Sequence, residues 1–230
     1  MNLGLLNRVC QPLLWFQLAP ERPGAPVCNA HDIQVNTFTM RHAYYQWHKR
    51  RHVANRSERL TRIGDFGAKV FGTSRESALK TKGAETWSLV LFLIDFVGSR
   101  AGALDRRIRD LLTGARALVR LLQLWKQCGV TLSRDEVAAS FDCWNEFLSA
   151  TRAWDELKIP KKHMIAHMLE RLEEAGNPTC YSNWLNESLN KLLKQCARQV
   201  SQHTFESGLL VRMRALLRKR SELTAPKPRT

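Results

Sequence analysis

The sequence predicts a mainly α-helical protein, a multi-helix bundle with an irregular Pro-rich N-terminal segment and a basic C-terminal tail. Apolar residues recur with i, i+3, i+4 spacing in several successive segments, which is the pattern of amphipathic helices. Ser, Pro and Gly stand at the segment ends, where helix caps and breaks are expected. With 230 residues and 44% hydrophobic content, the chain is long enough to bury a core. We expect four parts: an irregular segment at 1–38, a basic arm with aromatic residues at 39–74, a helical domain at 75–217 and a basic disordered tail at 218–230.

The N-terminal segment holds four of the eight prolines. Proline removes an amide donor and clashes with the preceding helical turn, so the stretch from Pro20 to Pro26 cannot sustain a helix. We therefore predict a loop over 1–38, with one short strand at 32–35. The apolar pieces of the first 20 residues are too broken for a secretory signal, although a mitochondrial presequence is an alternative.

The arm is expected to be a polar, basic helix or an extended arm. Between positions 39 and 62 it has seven Lys and Arg residues and one acidic residue, with Tyr44, Tyr45 and Trp47 interleaved. Arginine and lysine neutralise phosphates, and aromatic rings offer stacking faces to unpaired bases. The alternative is a solvated helix whose aromatic rings dock on the protein body. The predicted nucleic-acid contacts combine this arm with the tail: Arg41, Lys49, Arg50, Arg51, Arg56, Arg218, Lys219 and Arg220.

The helical domain contains the clearest signals. An apolar stripe runs from Leu104 to Trp125 and stops at Gly129, while arginines occupy the opposite face. Further helices are predicted after Ser74, after Ser133 with a capping box, from Pro160 to Gly176, after Ser182 and after Thr204. Because such short helices are marginal alone, we expect them to pack together with Trp125, Trp144 and Trp184 buried.

Charge indicates the class of partner. Thirty-six Lys and Arg residues against 21 Asp and Glu residues give a formal net charge of +15. Such a surplus favours polyanions through phosphate neutralisation and counterion release, so nucleic acid is the expected partner, DNA ahead of RNA. The longest apolar run, 89–96, is far shorter than the ~20 residues of a membrane span. We expect an intracellular protein, with the nucleus as one location, and no membrane partner.

Few residues indicate site chemistry. His163 and His167 are separated by four positions on a predicted helix, so both imidazoles can face one metal ion, although the glutamate of the metalloprotease motif is missing after His163. The alternative is a pair of histidines packed in a helical interface. The six cysteines are scattered without a CxxC pair, which indicates free thiols.

One stretch is similar to proteins of a known family. The run Ile159-Pro-Lys-Lys-His-Met-Ile-Ala-His167, followed by Gly176-Asn-Pro178, Trp184 and Glu187, resembles a motif of transposase-derived proteins from eukaryotic DNA transposons. The resemblance covers residues 79–217. It implies that Glu187 matches the helical acidic residue of a site that holds two magnesium ions with two strand-borne aspartates. This chain departs from that pattern because its first 75 residues offer only one aspartate on a predicted strand, Asp32.

These observations lead to one expected function and two alternatives. We expect a helical nucleic-acid-binding protein, derived from or belonging to a mobile genetic element, without catalysis of its own and without a cofactor. The first alternative is a metal-dependent nuclease or transposase fragment that uses Glu187 and Asp32, and only this enzyme would need Mg²⁺ or Zn²⁺. The second is a module that binds a protein partner through its helices.

Overall fold

The computed structural model describes residues 4–20, 28–56, 58–72, 79–100, 104–157, 160–180 and scattered positions between 197 and 215. The chain is mainly helical, as predicted, and no strand occurs among the described residues. Residues 2–180 form one compact unit, and residues 181–230 belong to a second. The helices are α1 (Gly4–Leu18), α2 (Ala30–Ala54), α3 (Ala68–Phe71), α4 (Gly83–Gly98), α5 (Arg106–Gln127), α6 (Arg134–Ala150), α7 (Pro160–Glu170) and α8 (Leu172–Ala175), with a 3₁₀ turn at Asp155–Leu157.

Helix α1 corrects the prediction of an irregular N-terminus. Residues Gly4–Leu18 are helical although Pro12 lies inside the helix. A proline in a helix interior costs about 3 kcal/mol, and here burial of apolar side chains on most of the helix offsets that cost. The helix packs against α2, α4, α5 and α7, so it lies in the centre of the compact unit. Its buried apolar residues are Leu5, Leu6, Val9, Cys10, Leu13, Leu14 and Leu18.

Helix α2 corrects the predicted strand at 32–35. Asn29 and Asp32 form a capping box, in which the Asp32 amide donates to Asn29 Oδ1 and the Asn29 amide donates to Asp32 Oδ2, both at 3.0 Å. This exchange satisfies two amides that a helix start leaves without partners, and it begins a helix of 25 residues. The arm is therefore helical as far as Ala54, whereas its described residues 55, 56 and 58–67 are not helical. Residues 21–27, which include Pro23 and Pro26, lie outside the described residues.

Helices α4, α5 and α6 confirm the periodicity of the helical domain. The stripe on α5 is buried as predicted, including Leu111, Leu118 and Trp125. The Ser133 capping box is present at the start of α6, and Trp144 and Phe147 on its inner face are buried. Helix α4 starts at Gly83, later than predicted, and the Lys82 amide donates to Glu85 Oε2 at 2.8 Å. The proposed caps Ser74 and Ser77 lie outside the described residues.

The turn after α8 holds the C-terminal end of α5. Asn177 is fully buried, and its Nδ2 donates to three carbonyls of the α5 end and the following loop, those of Trp125 (2.7 Å), Gly129 (2.9 Å) and Cys128 (3.2 Å). Its backbone N–H donates to the Val130 carbonyl at 2.7 Å. The carbonyls at a helix end have no partners within the helix, so Asn177 supplies the missing donors.

Gly176 allows this close approach. Its φ of +73° lies in the left-handed region, and a Cβ on this residue would stand 2.5 Å from the Val130 carbonyl oxygen. Both facts disfavour any other residue. The Gly-Asn-Pro segment is thus the junction between α8 and the α5–α6 connection.

His48 on α2 gives the unit a pH dependence. Burial lowers the pKa of this imidazole below its usual value near 6.5, and Nε2 is buried without a hydrogen-bond partner among the described residues. Since the folded pKa is lower than the unfolded pKa, the unfolded chain binds the proton first as the pH falls. Stability contributed by neutral His48 is therefore complete above about pH 6.5 and declines as the pH falls from there towards the folded pKa.

We expect His48→Gln, which retains a side-chain donor and does not titrate, to reduce this loss. Urea unfolding at pH 7.5 and pH 5.5 measures it: the free energy of unfolding should fall less for His48→Gln than for the unchanged protein. An equal fall in both proteins would contradict the assignment of this dependence to His48.

The second unit is described at few positions. Residues 205, 207, 208, 210–212, 214 and 215 are helical, which agrees with the helix predicted after Thr204. The helix predicted after Ser182 lies outside the described residues, as do Trp184, Glu187 and Arg218, Lys219 and Arg220 of the tail.

Candidate nucleic-acid interface

The aromatic residues of α2 dock on the protein body. Tyr44 is fully buried; its hydroxyl lies 3.1 Å from Ser88 Oγ of α4 and accepts the Ile63 amide at 3.2 Å. Trp47 is 9% exposed and donates from Nε1 to Asp95 Oδ2 at 2.7 Å. These rings hold α2 against α4 and have no free face for a base. The interpretation of Tyr44 and Trp47 as stacking platforms is therefore wrong, and the docking alternative is confirmed for them.

Arg51 is part of the same anchor. Its guanidinium makes a bidentate contact with Glu58 at 2.6 and 3.1 Å, lies 3.6 Å from Asp95 and stands over the Trp47 ring. The hydrogen bond to Glu58 raises the pKa of Arg51 further. Because two carboxylates already neutralise this cation, its prediction as a phosphate contact is corrected to a structural role.

The remaining predicted cations of the arm are exposed. Arg41, Lys49, Arg50 and Arg56 all face solvent, and no carboxylate of the described residues pairs with them. Arg41 stands 5.5 Å from the centre of the Tyr45 ring, and Arg62 stands 5.1 Å from it. Tyr45 itself is half-buried and donates to the Gly64 carbonyl at 2.9 Å. The arm thus exposes cations that can contact a polyanion, and the Tyr45 ring positions two of its arginines, Arg41 and Arg62.

A second row of cations lies on α5. Arg106, Arg109, Arg116 and Arg120 are spaced three, seven and four positions apart, so a 3.6-residue helix places them along one exposed edge. From first to last they span about 21 Å at 1.5 Å per residue. We call this row the α5 arginine stripe. Two members have acidic neighbours, Arg106 with Asp110 and Arg120 with Glu146, whereas no carboxylate of the described residues pairs with Arg109 or Arg116.

A surface groove lies beside the stripe, between α4, α5 and α6. It has a volume of about 390 Å³ and an apolar floor, and Arg116 and Arg120 line it together with Asp95 and Glu146. The Arg116 guanidinium packs over Gly98 at the C-terminal end of α4, where a Cβ would meet Nη2 at 2.6 Å. The carbonyl dipoles at a helix C-terminus favour a cation there. The apolar floor consists of Leu91, Ile94 and Val119.

Asp95 connects the two cationic regions. Its carboxylate accepts from Trp47 and approaches Arg51 of α2, and the same residue lines the groove that borders Arg116. The C-terminal half of α2 and the stripe on α5 are therefore neighbours across α4. The periodic spacing of these arginines predicted an exposed basic face on α5, whereas the predicted nucleic-acid contacts lay on the arm and the tail.

The described residues that were predicted to bind metal lie on different helices, Asp32 on α2 and the two histidines on α7. Asp32 lies in the first turn of α2 and makes the capping box, so it is not the strand-borne aspartate of a two-metal site. Its distance from Glu187 stays untested because Glu187 is outside the described residues. His163 and His167 do meet, with Nε2 atoms 2.8 Å apart on the exposed face of α7. Within the described part of the chain, no group of three or more His, Cys, Asp or Glu residues is arranged around a common metal position.

Two further observations concern the class of protein. The described cysteines, Cys10, Cys28, Cys128, Cys143 and Cys180, are free thiols. None of the helices in the described part of the chain combines the length and the apolar character that crossing a membrane requires.

Comparison with known proteins identifies no relative: no protein-family model, no curated protein and no solved structure matches this chain.

Proposed function

We propose that this chain binds nucleic acid through a surface formed by the α5 arginine stripe and the exposed cations of α2. The observation that supports the proposal most strongly is the presence of exposed cations without acidic partners among the described residues on two helices that both pack on α4, within a chain of net charge +15. A surface of this kind neutralises phosphates and releases condensed counterions without reading base sequence. We propose DNA as the first partner and the nucleus as one location of the protein. An origin of the protein in a mobile genetic element is supported by the sequence resemblance alone.

The geometry suits backbone contact. Duplex DNA carries one charge per about 1.7 Å of axis, so a stripe of about 21 Å faces many phosphates at once. Arg109 and Arg116 are the strongest candidates on α5 because they have no acidic partner among the described residues. Lys49 and Arg50 are their counterparts on α2. Tyr44 and Trp47 contribute indirectly, since their burial fixes the helix that presents these cations.

Salt-dependent binding tests this function. Fluorescence anisotropy with labelled duplex and single-stranded oligonucleotides should give a dissociation constant that rises steeply between 50 and 200 mM salt, as expected for several phosphate contacts. Arg109→Gln with Arg116→Gln, and separately Lys49→Gln with Arg50→Gln, should each weaken binding about tenfold or more at low salt. Each lost phosphate contact should also reduce the slope of log K against log salt by about 0.9.

Arg134→Gln with Arg171→Gln is the matched control. Both arginines are exposed and lie outside the proposed surface, on α6 and between α7 and α8, so the variant loses the same two charges. If the control weakens binding as much as the other pairs, the effect belongs to net charge and not to this surface. No retention of any oligonucleotide at low ionic strength would remove the proposed function itself.

A further inference from the structure

Helix α7 presents two imidazoles in direct contact. The Nε2 atoms of His163 and His167 are 2.8 Å apart, and the ring centres are 4.2 Å apart. Both residues are exposed, so the two nitrogens are accessible from solvent. When no metal ion is bound, one Nε2–H has to donate a hydrogen bond to the other Nε2. A metal ion placed between them would replace that proton and bind both lone pairs.

Glu170 orients one of these rings. Its Oε2 lies 2.9 Å from Nδ1 of His167, the nitrogen that faces away from His163. A carboxylate that accepts from Nδ1–H fixes the tautomer and leaves the Nε2 lone pair available, which is the common arrangement behind metal-binding histidines. The three residues follow one another at i, i+4 and i+7 of a single helix, so they need no rearrangement of the fold to act together.

From this geometry we infer that His163 and His167 form a bidentate site for a transition-metal ion, with Glu170 as the residue that positions His167. Water would complete the coordination, because no third ligand converges on the pair within the described residues. The site is independent of the nucleic-acid surface on α2 and α5, and its test does not depend on that function.

The type of ligand indicates which ion fits. The 2.8 Å separation of the two Nε2 atoms is that of a hydrogen bond, so only small side-chain movements would place an ion between them. Square-planar and tetragonal coordination with nitrogen ligands is typical of Cu²⁺ and Ni²⁺, and Cu²⁺ is also the tightest binder in the divalent series. We therefore expect Cu²⁺ to bind more tightly than Zn²⁺.

Metal titration of the full chain tests the site. With the accessible Cys residues blocked by alkylation, isothermal titration with Cu²⁺ should show one ion bound, with a dissociation constant at least tenfold lower than the value for Zn²⁺. His163→Ala and His167→Ala should each weaken Cu²⁺ binding at least tenfold, and Glu170→Gln about tenfold, as loss of an orienting carboxylate usually does. His42→Ala is the control, since His42 is an exposed helical histidine on α2.

Two outcomes would overturn the inference. The first is an unchanged Cu²⁺ affinity in His163→Ala and His167→Ala; the second is an equal loss in His42→Ala. The visible d–d band of Cu²⁺ gives a second readout, because the shift that nitrogen ligands cause, away from the band of the aqua ion, should be lost in the His163→Ala and His167→Ala variants. Circular dichroism spectra of these variants should match that of the unchanged chain, because the substituted side chains are on the surface.

Discussion

Replacement of Asn177 by alanine is expected to lower the free energy of unfolding by about 3–5 kcal/mol, because three carbonyl groups at the end of α5 would each lose a buried donor. The Asn177 Oδ1 also accepts the Thr179 amide at 3.0 Å, so the turn loses its internal bond as well. Urea unfolding followed by circular dichroism measures the effect. Since residues 2–180 form one compact unit, the loss should appear as a lower midpoint of a single main transition.

Asn36→Ala is a suitable control. The Asn36 amide makes one side-chain hydrogen bond, from Nδ2 to the Leu18 carbonyl at 2.9 Å, and its removal should cost about 1 kcal/mol. Asn177→Asp supplies a second comparison, because it keeps the acceptor for Thr179 and cannot donate to the carbonyls. If Asn177→Ala costs no more than Asn36→Ala, Asn177 does not stabilise the end of α5.

This turn shows how a motif can be explained by packing. Gly176-Asn-Pro178 is part of the segment that resembles transposase-derived proteins, yet each residue is accounted for locally. Gly176 occupies a left-handed conformation close to the Val130 carbonyl, Asn177 satisfies the α5 end and Pro178 follows a helix end. The structural role of these residues stands whether or not the resemblance reflects common origin.

The sequence predicted α5 and α6 well because apolar periodicity sets the buried face of each helix. At α6 a second signal agrees, the capping box that begins at Ser133, and the structure adds that Asp105 caps the start of α5. When local preference and burial indicate the same structure, sequence analysis is most dependable. The exposed edge of α5 follows from the same periodicity, since the arginines occupy the positions that the stripe leaves to solvent.

The prediction failed at α1 and at the first turns of α2, residues 30–38, for different reasons. In α1, Pro12 indicates a loop locally, but the helix is the centre of the unit and tertiary burial decides. In α2, residues 30–38 have no buried apolar side chain, and the helix start depends on the Asn29–Asp32 capping box, while the buried Met40, Tyr44 and Trp47 follow only later in the helix. Neither long-range packing nor the partner of a ring can be read from local spacing.

For the candidate site, the sequence predicted where the cations lie but not which of them are paired with carboxylates. Sequence analysis identified the arm cations, but Arg51 differs from Arg50 only through Glu58 and Asp95, which meet it in the folded chain. Likewise, the spacing of His163 and His167 predicted a shared face, whereas the orienting contact from Glu170 required the structure. Which charges are neutralised and which are free is a property of the tertiary contacts.

Trp144→Ala should lower the free energy of unfolding by about 3–5 kcal/mol, the usual cost of removing a large aromatic side chain from a close-packed core. Trp144 is 4% exposed and stacks on Phe147 of the same helix, with ring centres 5.1 Å apart. Its loss would leave a cavity on the inner face of α6, the helix that packs most closely with α5. Thermal and urea unfolding measure this effect.

Two comparisons make the assignment of inner and outer faces testable. Trp87→Ala removes the same type of side chain from a half-buried position on α4, where the ring contacts Lys126 of α5. It should therefore lower the free energy of unfolding clearly less than Trp144→Ala does. Arg109→Ala, on the exposed stripe, should leave the melting temperature nearly unchanged, because surface substitutions usually alter stability by less than about 0.5 kcal/mol. An Arg109→Ala variant that unfolds, together with a Trp144→Ala variant of unaltered stability, would mean that α5 and α6 pack through the opposite faces.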